Sequence, residues 1–135
     1  VPPNAADNPG IAEFRQDLEA IGQDPDAPTV DFSTVTAWSN IKKLEESLLA
    51  AGGPSYVTDL TPRKLVRAIV DHPIDRPEAA PYDFRENQLT ELPGLAAFRV
   101  FTREVVILQL QDEQYQLLAD GFVDILEPPD LARPS

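Results

Sequence analysis

An α+β fold is predicted: three short helices in the first seventy or so residues, packed on an antiparallel sheet or hairpin in the C-terminal third. Three features of the 135-residue sequence predict it. Helix-start signals and helical apolar spacing recur through residues 8–71. The densest run of β-branched, aromatic and leucine side chains falls at 98–126. The 14 prolines, about twice an ordinary share, cluster in 1–9, 24–28, 73–93 and 128–134, which marks those stretches as arms and linkers. One domain over 10–126 follows, between Pro-rich arms at 1–9 and 127–135, with 73–93 as a long irregular loop.

The first helix opens at Asn8 as N-cap with Pro9 at the first helical position, where the missing N–H costs nothing. Ile11, Phe14, Leu18 and Ile21 repeat at helical spacing, and Gly22 supplies the stop. The linker that follows holds Asp24, Asp26 and Asp31, alternating carboxylates of the kind that ligate calcium in loops. The EF-hand pattern fails, because its glycine and terminal glutamate would fall on Thr29 and Val35. A solvated loop is the reading.

Ser33 or Thr36 is the expected cap of a second helix with Trp38, Ile41, Leu44 and Leu48 inward and Lys42, Lys43, Glu45 and Glu46 on the solvated side. Gly52-Gly53-Pro54 ends it. Residues 56–60 read as a short extended piece. Thr61-Pro62 then caps a third helix, with Leu65, Val66, Ile69 and Val70 inward and Pro73 limiting its length. Arg63, Lys64 and Arg67 make the one basic cluster, exposed and suited to an acidic partner surface; a helix-turn-helix is the weaker alternative, against a net charge of −12. The sole histidine, His72, lies near that helix's C-terminus, where a cation is favoured. In the loop after it, Tyr82, Phe84 and Arg85 are candidate partner contacts together with Trp38, Arg63, Lys64 and Arg67.

In the β-rich stretch, 98–102 alternates as a half-buried strand, and the nearly continuous apolar run 105–110 reads as a central strand covered on both faces. For 112–126 two readings stand. As a helix it aligns Tyr115, Leu118, Ala119, Phe122 and Leu126; as strands, 115–118 and 122–126 flank a hairpin loop at Ala119-Asp120-Gly121, which the glycine favours. Burial is expected for Phe98, Val100, Val106, Leu108, Trp38, Ile41, Leu65 and Ile69.

Charge narrows the function classes. Residues 1–32 carry seven acidic side chains against one basic, and 104–135 repeat that ratio. Such ends disfavour direct nucleic-acid binding, which relies on Lys and Arg at phosphates. With no cysteine, thiolate catalysis and cysteine-ligated metals are excluded. No cofactor loop or catalytic motif is legible, so no cofactor, metal or catalytic residue is predicted. No apolar run is long enough for a membrane span, and no signal peptide is legible, which predicts a soluble protein inside a cell or particle. The expected role is a non-catalytic structural or adaptor subunit of a larger assembly, such as a virion component, connector or accessory subunit. Its partners would be copies of itself or other subunits, contacted in part by the two arms. An acidic nucleic-acid mimic and a small carboxylate-based enzyme are the alternatives.

Overall fold

The computed structural model describes residues 1–5, 7–85, 102–111, 114–119 and 121–127. Helices come first and a small antiparallel sheet follows, so the chain is a mixed α+β protein. Helix α1 spans Pro9–Ala20, and its Asn8 cap is as the sequence predicts: Oδ1 accepts from the N–H groups of Gly10 and Ile11. Helix α2 spans Phe32–Ala50. Its cap is Asp31, in place of the expected Ser33 or Thr36. The Asp31 carboxylate accepts from the Thr34 N–H at 2.9 Å, and the Thr34 hydroxyl accepts from the Asp31 N–H, a reciprocal capping box. The Thr34 N–H and then the Thr34 hydroxyl, each donating to the Asp31 carboxylate, also hold that carboxyl below its ordinary pKa.

Residues expected to be extended after α2 form instead a single helical turn, α3 (Pro54–Val57). Proline at its first position is the reason the turn starts there, after Gly52 and Gly53 take positive φ angles of 142° and 60°. Helix α4 spans Pro62–Asp71 and is capped by Thr61 Oγ1, accepting from Lys64 N.

The core lies among the helices. Val1, Ile11, Phe14 and Val35 are buried together, and Ala5, Leu18, Val30, Trp38 and Phe122 pack around them. Residues 1–5, expected as an arm, thus supply part of the interior. Of the predicted stripes, Ile21, Ile41 and Val66 are 71%, 67% and 59% exposed, and Ala68 is the buried residue of α4. The side of α2 that goes inside is Val35, Ser39, Lys43 and Ser47, one turn apart along the helix.

The sheet is a long ribbon in two parts. Strand β1 (Glu104–Val105) pairs antiparallel with β4 (Val123–Asp124), and β2 (Leu108–Gln111) pairs with β3 (Gln114–Leu117). Registers Glu104↔Asp124 and Leu108↔Leu117 show that 106–107 on the outgoing arm stand opposite 118–122 on the return. A bond from Leu118 N to Ile107 O extends the β2/β3 ladder into this irregularity, and one from Ile125 N to Arg103 O extends the β1/β4 ladder at its other end, both 2.9 Å. Strand and not helix is the state of 114–117, but the hairpin closes between β2 and β3. Gly121 does take a positive φ of 77°, within the extra return-arm residues and not at a hairpin tip.

No strand here is central. Each has one partner among the described residues, and Val105 and Leu110 are 42% and 63% exposed. Val106 and Leu108, like Trp38, Leu65 and Ile69, are half-buried. Of the expected strand at 98–102, residues 98–101, with Phe98 and Val100, lie outside the described residues, as does all of the C-terminal arm after Glu127, and Thr102 is not in a strand.

Candidate functional site

Two features stand out: a buried knot of charged side chains and an open apolar groove. The knot is built by α1, α2 and the segment 73–85, which runs back along α2 without helix or strand. Ser47 Oγ donates to the His72 carbonyl at 2.8 Å, Lys43 Nζ to the Ala80 carbonyl at 3.1 Å, and Ser39 Oγ to Glu78 Oε1 at 2.7 Å. These three bonds explain the polar inner line of α2. They satisfy backbone and side-chain acceptors of a segment that has no ladder of its own.

At the centre Arg76, 8% exposed, donates through Nε to Glu78 Oε1 at 2.6 Å, through Nη2 to Glu13 Oε2 at 2.5 Å, and through Nη1 to Glu46. Its guanidinium carbon lies 4.8 Å from the Trp38 ring centre, a cation–π stack. Burial opposes the charge, but the hydrogen bonds to Glu78 and Glu13 outweigh it and raise the Arg76 pKa above the ordinary value. A second layer surrounds this. Trp38 Nε1 donates to Asp17 Oδ2 at 3.0 Å, and Lys42 Nζ bridges Glu13 and Asp17 at 3.1 and 3.2 Å. Glu13 is held below its usual pKa first by the Arg76 hydrogen bond and then by Lys42; Asp17 is held down by Trp38 and Lys42. Lys42 is raised by the same two carboxylates.

Lys43 and Glu46, expected on the solvated face, therefore belong to the interior and to the knot. Burial pushes the Lys43 ammonium below its ordinary pKa, and its Nζ sits 4.3 Å from the Tyr82 ring centre. Glu78 is packed so tightly that a Cβ at Gly10 would overlap its carboxylate. Its Oε2 has no hydrogen-bond partner among the described residues.

Of the predicted contact residues, Trp38 is clamped in the knot against Phe14, with ring centres 5.4 Å apart. Tyr82 and Phe84 pack edge to face at 4.6 Å, and Arg85 grips Asp83, drawing its carboxyl down to about 2. Arg63 and Arg67 are exposed on α4, and the half-buried Lys64 lies 5.6 Å from the Tyr56 ring centre. These residues form no single site. In the acidic linker, Asp24 Oδ1 accepts from the Asp26 N–H, and Asp26 pairs with Arg15 at 2.8 Å. No cluster of three or more metal-ligating side chains occurs among the described residues, and none of their helices is long and apolar enough to cross a membrane.

The groove lies between α2 and α3. Ile41, Leu44, Leu48 and Leu49 form one wall, Gly53, Pro54 and Val57 the other, and the space is about 520 Å³. Ile41, Leu49 and Val57 are 67%, 55% and 44% exposed. Sequence reasoning placed Ile41 inside and gave Leu49 no role. The signal was there in Ile41, Leu44, Leu48 and Leu49, an apolar band wider than one inner stripe requires. No family model, curated protein or solved structure matches the chain.

Proposed function

We propose that the protein is a non-catalytic structural or adaptor subunit of a larger assembly, working through protein contacts. The apolar α2/α3 groove carries this reading. Contiguous exposed apolar surface of this kind marks interaction sites on folded proteins, and here it is rigidly backed by a helix whose other side is fixed in the core. The convergent charged groups support the same reading from the opposite direction. Arg76, Lys42, Glu13, Asp17 and Glu78 are hydrogen-bonded to one another or to Ser39 and Trp38, which supports reading them as a fastening between segments. The same engagement weakens the nucleic-acid-mimic alternative, since carboxylates tied to Arg76 and Lys42 are not displayed as a row of phosphate-like charges.

The test is an Ile41→Asp/Leu49→Asp variant expressed in the native source. Both positions are more than half exposed, so the melting temperature should stay within a few degrees of wild type. Wild type is expected to travel with a complex well above 14.9 kDa and the variant to leave it. A variant that stays in the complex would remove the groove from the function.

A further inference from the structure

We propose that the apolar face of the β2/β3 ribbon is a self-association surface, onto which a second copy of this chain packs its own ribbon face to face. The inference extends the adaptor reading above and rests on it for the idea that this chain acts through protein contacts.

The pairing register sorts the ribbon's side chains by face. Leu108 stands opposite Leu117 and Leu110 opposite Tyr115, while Gln109 stands opposite Gln116. Residues directly across an antiparallel pair point to the same side, and successive residues alternate. Leu108, Leu110, Tyr115 and Leu117 therefore share one face, and Gln109, Gln111 and Gln116 the other. The apolar face is open to a degree that needs a cause: Leu110 is 63% exposed, Tyr115 49% and Leu117 38%. Among the described residues β2 and β3 pair only with each other, and a two-stranded ribbon is marginal in water unless a face is covered.

Charge selects the occupant. The segments 108–111 and 114–117 contain no Asp, Glu, Lys or Arg, in a chain of net charge −12. A basic partner finds no counter-charge on this face, whereas a second copy, repelled elsewhere by like charge, meets a neutral one. An apolar face is its own complement, which is what a two-fold interface demands. The area is consistent. The exposed parts of the four side chains amount to on the order of 400 Å² per copy, so two copies with their flanking residues reach about 1,000 Å², the lower bound for a specific contact. An interface at that bound gives a weak dimer, with a Kd on the order of micromolar.

Sedimentation of the 135-residue chain from about 1 to about 100 μM spans that Kd. Wild type should move from 14.9 kDa toward twice that mass. Leu110→Gln with Tyr115→Gln should raise the Kd by about tenfold or more. Leu110→Gln alone, at the most exposed of the four positions, covers the case in which the double variant fails to fold. Gln109→Lys, on the opposite face, should leave the Kd unchanged. A wild-type mass of 14.9 kDa at every concentration would overturn the inference, and so would a dimer that survives the face variants or is lost in Gln109→Lys. The groove variant separates the two readings. Ile41→Asp/Leu49→Asp should dimerise like wild type; if it also stays in the native complex, the groove reading fails while the ribbon stands.

Discussion

The helical part and the ribbon are built on opposite principles. In the first, Phe14 and Ile11 are almost completely enclosed, and a buried arginine bonded to three carboxylates closes the space between α1, α2 and the segment 73–85. In the second, the richest β-forming sequence of the chain makes strands of two and four residues with half-open side chains, and among its described residues only Val123 is buried. Hydrophobic density along a sequence is thus a poor guide to where the core is. What makes a core is the number of elements that converge, and three converge on Phe14 and Trp38 while the ribbon's strands each pair with one neighbour among the described residues.

The largest blow to this contrast should come from within the helical part. Arg76→Ala leaves Glu78 buried without its cation and should cost about 3–5 kcal/mol. Phe14→Ala should cost a similar amount through the cavity it opens. Chemical denaturation checks both, and a loss below about 1 kcal/mol for either would mean that the interior is loosely held. Gly10→Ala comes next: the new methyl overlaps the Glu78 carboxylate, and about 1–3 kcal/mol is expected for forcing it in. Asn8→Ala removes the α1 cap and should lower stability by about 0.5–2 kcal/mol.

Leu108→Asp sharpens the comparison from the other side. Were β2 a central strand, a carboxylate there would unfold the protein. On a half-open ribbon it should cost about 1 kcal/mol, near the average for any substitution, and leave helical circular dichroism intact. The smallest effect is on acid stability. Glu13 and Asp17 have depressed pKa values in the folded state, so the unfolded chain binds protons first as pH falls. Their contribution is complete above their unfolded values of about 4 and is lost as pH drops through the lower folded ones. Both carboxylates are more than 40% exposed and screened by solvent. The contribution of these two carboxylates should therefore appear as a modest decline of the melting temperature below about pH 4.

Local chemistry was legible in the sequence and long-range chemistry was not. Asn8-Pro9 and Thr61-Pro62 announce their helices because a cap is decided within four residues. The Asp31 cap was missed because three candidate residues lie within one turn of each other, and only the reciprocal bond with Thr34 distinguishes them. Ser39, Lys43 and Ser47 look like a solvent-facing line on α2. They are inside because Glu78, Ala80 and His72 arrive from 25 to 39 residues away, and no periodicity encodes that arrival. Arg76 and Glu78 themselves sit in a proline-rich stretch that reads as a loop. Among the contact candidates, Trp38 turned inward for the same reason, whereas Arg63 and Arg67 are exposed as their place in the sequence of α4 implies.

Trp38 gives the molecule a built-in optical reporter. It is the sole tryptophan, with its indole N–H on Asp17 and its ring against Phe14, Arg76 and Lys42. Its emission therefore reads the state of the charged knot. Tyr115 is the one aromatic side chain of the ribbon strands, so tyrosine replacement by a fluorinated analogue gives a separate ¹⁹F signal there. Loss of the tryptophan signal at a denaturant concentration above that of the Tyr115 signal would resolve the two parts as separate cooperative units within one small chain.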